Sequence, residues 1–287
     1  MTKFFALIRV KHYIKNLIIF LPPMLTLRLN DINVISANIK AFVIFSLVAS
    51  IVYIFNDIKD LDSDRKHPLK SSRPLASGAV SIKAAIIVII ILAGVIIFLW
   101  ERSNFAASYI TWPLIYFALN ILYSVRLKNI PLLDVIILSS CYVIRLFYGA
   151  AVNNSQVSNW VMLTMLSVSL FMGFGKRRNE FIQYGKSTRK SLKGYTTAFL
   201  DKSLQITLTS SIIFYSLMCA DTNTLIARSG VNLLWTVPII IIICLRYLML
   251  VEDKECDGDP VSVITRDKAL IILCSSYIAS VVILLYK

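Results

Sequence analysis

Long apolar segments alternate with short charged segments along the whole chain. A helix that crosses about 30 Å of hydrocarbon needs roughly 20 mostly apolar residues, and about nine segments approach that length. The first segment is short and contains Pro22-Pro23, which predicts a kinked or tilted span. The pattern predicts an all-α integral membrane protein, a bundle of about nine transmembrane helices in one domain over residues 1–287. The predicted spans are 17–29, 39–55, 84–100, 105–123, 132–152, 160–175, 204–220, 233–251 and 269–286.

The composition supports this prediction. Hydrophobic residues make up 57% of the chain and charged residues 16%. In soluble domains about half of the residues are hydrophobic and about a quarter are charged. These figures exclude disorder, a collagen-like repeat and a disulfide scaffold. The 5 cysteines are isolated in the sequence and form no CxxC pair. The chain has only 2 histidines, His12 and His67, which is too few for a typical histidine-based zinc site.

The chain has 30 Lys and Arg residues against 16 Asp and Glu residues. Most of the basic residues lie between apolar segments, which does not suit a nucleic-acid binder and is typical of a membrane protein with basic cytoplasmic loops. Placing the N-terminus in the cytoplasm puts most of these residues on the cytoplasmic side. This bias predicts a multi-pass protein of the cell (inner or plasma) membrane with a cytoplasmic N-terminus. The carboxylate-rich segments, and the active site that they suggest, then face the cytoplasm.

Three aspartates follow the second predicted span at helical spacing. If that helix continues, Asp57, Asp60 and Asp64 share one face, and Asp62 points away from them toward the surface. Three carboxylates so close together repel one another and need a compensating cation. Ligation by oxygen alone favours a hard ion, which predicts a Mg²⁺ site. A solvated acidic loop that caps the helix is the alternative.

Two cations, Lys70 and Arg73, follow this acidic segment directly. Carboxylates beside cations suit a metal–diphosphate ligand, because the metal ion bridges carboxylate and phosphate while the basic side chains neutralise the remaining oxygens. The general excess of basic residues in cytoplasmic loops is the alternative. It does not explain why these cations accompany three carboxylates.

A second group of charged residues surrounds the fifth predicted span. Lys128 precedes the span, Asp134 lies near its start, and Arg145 lies three helical turns deeper on roughly the same face. Ionisable groups at that depth are costly and usually face a polar cavity, which predicts a binding role for Arg145. A structural Asp134–Arg145 pair, or a pair between Arg145 and a neighbouring helix, is the alternative.

A third group lies where the sixth predicted span leaves the bilayer. Lys176, Arg177 and Arg178 are consecutive there and precede Glu180. They are candidate phosphate ligands, with an anchor for lipid headgroups as the alternative. The last loop, residues 252–267, is unusually acidic for the cytoplasmic side, and the sequence suggests only a lid or a role beside the metal.

Together, these groups resemble the UbiA superfamily of membrane-embedded prenyltransferases. The acidic motif marks the superfamily, and the combination of motifs from about Arg9 to Lys268 is similar to the decaprenyl-phosphate phosphoribosyltransferase branch. The motifs that carry the resemblance are Asn56-Asp57-x-x-Asp60-x-x-x-Asp64, Arg65-x-His67-Pro68-x-Lys70-x-x-Arg73-Pro74, Tyr123-Ser124-x-x-Leu127-Lys128, Gly175-Lys176-Arg177, Arg189-Lys190-Ser191-Leu192 and Leu245-Arg246-Tyr247.

The resemblance also implies site residues. It gives metal-binding and catalytic roles to Asp57, Asp60 and Asp64, and a catalytic role to Asp134. The substrate-binding residues that it implies are Lys15, Asn56, Arg65, Lys70, Arg73, Tyr123, Lys128, Arg145, Lys176, Arg177 and Glu180.

One departure from the superfamily supports the branch. Members that use a prenyl diphosphate usually carry a second paired-aspartate motif, whereas here Leu138 stands four residues after Asp134. Fewer carboxylates and more cations suit a donor with an additional phosphate, such as 5-phosphoribosyl diphosphate, better than an uncharged aromatic acceptor.

The resemblance implies transfer of 5-phosphoribosyl from 5-phosphoribosyl 1-diphosphate to a polyprenyl phosphate, for cell-envelope glycan synthesis. The expected products are polyprenyl-phosphoryl-ribose 5-phosphate and diphosphate, with Mg²⁺ as cofactor and the lipid bilayer as surroundings. A UbiA-type prenyltransferase acting on an aromatic or other acceptor is one alternative, and a lipid-phosphate transporter is another. The length of the prenyl chain, the receiving glycan and the choice between a monomer and a homo-oligomer stay open.

Overall fold

A computed structural model describes residues 2–66, 70–185, 189–221, 230–252 and 260–286 of the chain. Within these ranges the regular structure is helical and no strand occurs. The α-helices are α1 (Thr2–Leu7), α2 (Leu21–Leu25), α3 (Ile32–Lys59), α4 (Leu61–Lys66), α5 (Ile82–Glu101), α6 (Thr111–Val125), α7 (Leu133–Val152), α8 (Asn159–Tyr184), α9 (Thr197–Ala220), α10 (Val237–Glu252), α11 (Pro260–Arg266) and α12 (Lys268–Tyr286).

Six helical segments of the described residues are long and apolar enough to cross a membrane. Together with their composition, they make the chain a multi-pass membrane protein. Four of them are α3, α5, α7 and α9, the fifth is Leu233–Glu252, which joins a short 3-10 turn to α10, and the sixth is α12.

The predicted count of about nine spans is not confirmed, because three of the predicted spans are not among these six segments of the described residues. Residues 17–29 divide between a 3-10 helix over Val10–Phe20 and the 5-residue helix α2, so no long helix forms there. Helix α6 has 15 residues, fewer than the roughly 20 that a span needs. Helix α8 has 26 residues, but its last turns carry Lys176, Arg177, Arg178 and Glu180.

The contacts within the chain divide it into two compact units. The first contains residues 1–23, 29–127 and 144–155, and the second contains residues 24–28, 128–143 and 156–287. The boundary falls inside α7, so this helix contributes its first half to the second unit and its second half to the first.

In the first unit, the 3-10 helix Val10–Phe20 lies along α3. A 3-10 helix has three residues per turn, so Tyr13, Asn16 and Ile19 share one face. The Tyr13 hydroxyl contacts Ser50 at 2.8 Å, and the Asn16 amide donates to Ser46 at 2.9 Å. Ile19 is fully buried, and its backbone lies so close to Gly149 of α7 that a Cβ at that glycine would collide with it. Glycine is therefore required at position 149.

The rest of the first unit packs α5 and α6 against α3. The buried apolar side chains between α3 and α5 include Ile54, Ala85 and Leu92. Ser81 begins α5 by accepting a hydrogen bond from the Ala84 amide at 3.2 Å, which satisfies one of the free donors at the helix start. The turn before it therefore fixes where α5 begins and how it follows the acidic segment.

In the second unit, α8 and α9 pack side by side. Their shared core continues into α10 and α11 through buried residues such as Phe171, Leu204, Val251 and Val263. Gly173 of α8 allows a close approach to α7, because a Cβ there would lie 2.7 Å from Val135 Cγ1. The first half of α7 is thereby held against α8.

Candidate functional site

The acidic segment continues the direction of α3 with one interruption. Asp60 leaves the α conformation (φ −96°, ψ 8°), so α3 ends there and α4 begins at Leu61. The hydrogen bonds nevertheless continue through the break, from the Asp60 amide to the Asn56 carbonyl at 2.9 Å and from the Asp64 amide to the Asp60 carbonyl at 2.8 Å. Asp57 and Asp64 are each 3% exposed. The sequence placed these two carboxylates on one face, and the structure brings them to one point.

Two arginines compensate the buried carboxylates. One nitrogen of Arg73, Nη1, donates to Asp57 Oδ1 at 3.1 Å and to Asp64 Oδ2 at 2.6 Å. Arg9 donates to the same oxygen of Asp57, and its guanidinium lies 5.0 Å from the centre of the Tyr53 ring. Burial lowers the pKa of Arg9, and the charge of Asp57 opposes this change. We call Asp57, Asp64, Arg9 and Arg73 the acidic cluster.

The acidic cluster fits a divalent cation. Oxygens of Asp57 and Asp64 already converge on a single cationic atom, and carboxylate oxygens are the ligands that hard ions prefer. Within the described ranges, no group of three or more acidic, histidine or cysteine side chains is placed to hold a metal ion. The predicted trio is therefore a pair in this structure, with Asp60 half-buried at the helix break.

The other predicted residues of the first unit differ in burial and contacts. The Asn56 side chain accepts a hydrogen bond from Ser124, which ties the end of α3 to α6. Tyr123 is buried beside Ser124, while Lys15 and Lys70 are half-buried. Arg65 is exposed, and so is Asp62, as its position on the helix predicted. His67 lies outside the described residues.

Arg145 lies deep in the first unit and is 3% exposed. Its Nε donates to Asn16 Oδ1 at 2.7 Å, and its Nη2 lies 3.4 Å from the Tyr116 hydroxyl. The guanidinium also lies 5.0 Å from the centre of the Phe45 ring and 4.8 Å from that of Tyr116. Aromatic faces and an amide oxygen thus stabilise this buried cation.

Asp134 is fully buried in the second unit and accepts three hydrogen bonds. Arg177 Nε donates to its Oδ2 at 2.6 Å, Ser191 donates to Oδ2 at 3.0 Å, and Tyr195 donates to Oδ1 at 2.6 Å. Both carboxylate oxygens are therefore engaged within the protein. The alternative of an Asp134–Arg145 pair is not what the structure has, because Asp134 forms its ion pair with Arg177.

Arg177 and Tyr195 complete this group. Arg177 is 1% exposed, and its Nη1 donates to Glu180 at 2.7 Å, so it binds two carboxylates. The Tyr195 hydroxyl also accepts a hydrogen bond from the Leu132 amide at 2.6 Å. Burial is the main reason that the pKa of the Tyr195 hydroxyl is raised, and the hydrogen bond to Asp134 is the second reason. We call Asp134, Arg177, Glu180, Ser191 and Tyr195 the carboxylate network.

The remaining predicted cations of the second unit lie nearer the surface. Lys128 and Lys176 are half-buried. Arg178, which the sequence singled out least, forms an ion pair at 2.6 Å with Asp201, whose side chain is 46% exposed. Most of the acidic loop between α10 and α11, residues 253–259, lies outside the described residues.

Several residues that contact the predicted site residues could not be identified from the sequence. Arg9 appears in the sequence analysis only as the start of the stretch that resembles the family, and Asn16, Tyr116 and Ser191 were not linked to the residues that they contact. Their partners lie between 29 and 129 positions away. A single sequence carries no local pattern for such contacts, although a buried polar side chain such as Asn16, at the start of an apolar segment, requires a hydrogen-bond partner.

Comparisons with known proteins agree with the sequence motifs. Residues 25–262 match the UbiA prenyltransferase family. The chain is 32% identical to a decaprenyl-phosphate phosphoribosyltransferase of Mycobacterium tuberculosis, over 96% of this chain and 91% of that protein. It is 30% identical to a decaprenyl-phosphate phosphoribosyltransferase of Mycolicibacterium smegmatis, over 96% of this chain and 89% of that protein.

The fold is similar to that of solved UbiA structures. A UbiA homolog from Archaeoglobus fulgidus, bound to GPP and Mg²⁺, superposes with a TM-score of 0.70 and 17% identity. The alignment covers 99% of this chain and 100% of the other. At this level of identity, the likeness concerns the fold alone.

Proposed function

We propose that this chain, which belongs to the UbiA prenyltransferase family, transfers 5-phosphoribosyl from 5-phosphoribosyl 1-diphosphate to a polyprenyl phosphate. Relatives that share about 30% of its residues over nearly their whole length carry the name of that activity. The observation that carries the proposal is the convergence of Asp57 and Asp64 on one cationic atom, with a second arginine on the same carboxylate. Such a site suits a ligand that brings a cation and phosphate oxygens together.

The acidic cluster binds the diphosphate end of the donor. Arg9 and Arg73 exchange part of their contact with the carboxylates for contact with phosphate oxygens, and Lys70 adds a further positive charge. Asp57 and Asp64 would hold Mg²⁺, with Asp60 beside them, and the ion supplies neutralisation of the charge that grows on the departing diphosphate. Arginine side chains placed before the reaction need little reorganisation as that charge develops.

The reaction exchanges one bond at ribose C1. The bond from C1 to the diphosphate oxygen breaks with oxocarbenium character, and an oxygen of the lipid phosphate forms the new bond from the opposite face. The electron pair of the broken bond leaves with the diphosphate. A phosphate monoester is already ionised near neutral pH, because its second pKa is about 6. The enzyme therefore requires no strong general base, and none of the proposed residues has that role.

We assign Asp134 and Arg177 to positioning rather than to contact with substrate. Both oxygens of Asp134 are engaged, and Arg177 is held by two carboxylates, so the pair supports the segment around Ser191 and Tyr195. Lys128 and Lys176 are half-buried, so they remain the better candidates for contact with phosphate oxygens.

The site would face the cytoplasm of the cell membrane. The excess of Lys and Arg in the loops that include the acidic segment supports this orientation. A cytoplasmic site has direct access to a soluble, highly charged donor, while the acceptor arrives from the bilayer.

One experiment tests the function directly. The purified protein in nanodiscs is incubated with Mg²⁺, radiolabelled 5-phosphoribosyl diphosphate and polyprenyl phosphates of several lengths, and lipid products are identified by mass. We expect polyprenyl-phosphoryl-ribose 5-phosphate and a loss of product when Mg²⁺ is chelated. Consumption of a prenyl diphosphate with an aromatic acceptor instead would make the protein a prenyltransferase of the more common kind. Movement of polyprenyl phosphate across vesicles without new bonds would make it a transporter.

A further inference from the structure

An apolar groove lies in the first unit, away from the acidic cluster. It has a volume of about 360 Å³ and is lined by side chains of α3, α5 and the start of α6, all of them apolar except Glu101. Ile97 and Leu114 on its walls are 61% and 55% exposed, so the groove is open along one side. In a membrane-spanning region, that side faces lipid.

The groove is separate from the proposed reaction site. Its residues on α3 are Ile44, Val48 and Ile51. At about 100° per residue, they lie roughly half a turn around the helix from Ser46, Ser50 and Asp57, which face the 3-10 helix and the acidic cluster. The occupant of the groove is therefore not the reacting end of either substrate.

The dimensions of the groove suit one hydrocarbon chain. From Ile44 to Ile51 the wall extends about 10 Å along the axis of α3, roughly two-thirds of the depth of one leaflet. Trp100, which also lines the groove, stands next to Glu101 at the end of α5. A tryptophan beside charged residues at a helix end is typical of the boundary between hydrocarbon and headgroups. The open end of the groove thus lies at headgroup level.

The mouth of the groove carries a negative charge, and the next residue along the chain carries a positive charge. Glu101 lines it, and Arg102 follows directly after the helix ends, with its guanidinium 5.6 Å from the centre of the Phe98 ring. Both side chains are exposed. A carboxylate beside a guanidinium complements a headgroup that has an ammonium group and a phosphate, and the carboxylate repels a headgroup with only negative charge.

We infer that the groove between α3, α5 and α6 is a binding site for a membrane phospholipid with a primary ammonium headgroup, such as phosphatidylethanolamine. One acyl chain fills the apolar groove, the phosphate lies near Arg102, and the ammonium group lies near Glu101. The lipid completes the packing of α5, of which only 11% of the most apolar stretch is buried within the protein. This inference does not depend on the proposed function.

Native mass spectrometry tests the site. The protein is taken from nanodiscs of equal parts phosphatidylethanolamine and phosphatidylglycerol with identical acyl chains, and the retained lipids are counted. We expect one retained phosphatidylethanolamine per wild-type chain, and loss of this lipid in Leu114→Trp, which fills the groove. The matched control is Leu122→Trp on the same helix, because Leu122 is 54% exposed and does not line the groove.

A second variant tests the headgroup contact. Glu101→Gln keeps the groove but removes the negative charge, and we expect the preference for phosphatidylethanolamine over phosphatidylglycerol to fall about two- to fivefold, the effect of a partly exposed ion pair. Ile97→Phe replaces Leu114→Trp if the latter does not fold.

Three outcomes would overturn the inference. They are equal lipid retention in the two tryptophan variants, an unchanged preference in Glu101→Gln, and contact between copies of the chain at the groove without retained lipid. Product formation in the transferase assay is a separate measurement, so failure of this inference is distinguishable from failure of the proposed function.

Discussion

At the scale of single residues, the acidic cluster concentrates opposite charges that have little access to water. Burying a carboxylate costs several kcal/mol unless partners replace its hydration, and here Arg9 and Arg73 are the partners. The arrangement also keeps the carboxylates oriented before a ligand arrives. The two neighbouring aspartates differ in their surroundings, because Asp64 is buried in the cluster and Asp62, two positions earlier, is exposed.

Asp64→Asn should therefore lower turnover by about 100-fold or more, because it removes a charge that the proposed site uses as the diphosphate departs. Asp62→Asn is the matched control and should retain nearly full activity. The measurement is the initial rate of lipid product in nanodiscs. Comparable rates for Asp64→Asn and wild type would contradict the assignment of the acidic cluster.

Arg145 and Arg178 provide a second comparison at this scale. Arg145→Leu removes a buried cation with an amide and two aromatic partners, and we expect a loss of about 2–3 kcal/mol in the free energy of unfolding, together with lower activity. Arg178→Leu removes a partly exposed ion pair and should cost at most about 1 kcal/mol. Thermal unfolding and turnover are measured on both. If their activities fall equally, Arg145 has no particular role in the reaction.

The sequence anticipates the acidic cluster better than its partners. Helical spacing is a local property, so Asp57 and Asp64 could be placed on one face from their positions alone. One partner of Arg145 is Asn16, which lies 129 positions away, and the ion pair of Asp134 is with Arg177 rather than with a residue of its own helix. These contacts depend on how helices pack, which no spacing rule describes.

At the scale of elements, glycine allows the 3-10 helix Val10–Phe20 to approach α7 closely. The backbone of Ile19 occupies the place that a side chain at position 149 would need. By contrast, a Cβ added at Gly94 in α5 would meet no heavy atom within 4 Å, so the surroundings of that residue are open. The two glycines stand in long helices but in opposite environments.

Gly149→Ala should therefore destabilise the protein by about 3 kcal/mol or more, at the upper end of the effects of overpacking. The reason is that backbone atoms, rather than a flexible side chain, must move. Gly94→Ala should be neutral or stabilising by about 0.5–1 kcal/mol, because alanine is the better helix former. Thermal unfolding of both variants in the same nanodiscs gives the comparison. Equal unfolding temperatures would mean that the contact between the 3-10 helix and α7 is adaptable.

Helix α12 begins with an ion pair that should respond to acid. Asp267 accepts hydrogen bonds from Arg246 at 2.7 Å and from the Leu270 amide at 2.7 Å, and the hydrogen bond to Arg246 is the main reason that the pKa of Asp267 is lowered. A carboxyl group with a lowered pKa stabilises the fold above its ordinary pKa of about 3.9, and this stabilisation disappears as the pH falls through the lowered value.

The difference in unfolding temperature between wild type and Asp267→Asn should thus be largest near neutral pH and should shrink below about pH 4. Arg246→Gln should reduce the same difference, because it removes the principal donor. Unfolding is followed by tryptophan fluorescence at a series of pH values. If the difference in unfolding temperature grew as the pH falls, the conclusion that the pKa of Asp267 is lowered in the folded protein would be wrong.

At the scale of the whole molecule, the excess of basic residues in the loops predicts which ends of the helices meet the cytoplasm. Ser77 lies between α4 and α5 on the predicted cytoplasmic side, and Ala106 lies after α5 on the opposite side. Both residues are exposed. In a background without native cysteines, Ala106→Cys should react with a membrane-impermeant maleimide in intact cells.

Ser77→Cys should react with the same reagent only after the cells are opened. Labelling of Ser77→Cys in intact cells would reverse the predicted orientation and would place the acidic cluster outside the cytoplasm. The long apolar helices next to these positions, α3 and α5, can be predicted directly from the sequence. The N-terminal segment cannot, because its 3-10 helix ends at Phe20 and the α-helix that follows, with Pro22 and Pro23 in its first turn, has only 5 residues.

The 3-10 helix Val10–Phe20 also restricts how the N-terminal region can vary. With a rise of about 2.0 Å per residue, 11 residues extend about 22 Å, whereas an α-helix of the same length would extend only about 16 Å. Deleting or inserting one residue between Arg9 and Asn16 would turn the following side chains by about a third of a revolution. Asn16 would then lose Arg145 and Ser46 at the same time. Related chains should accordingly keep this interval constant in length, even where the residues within it differ.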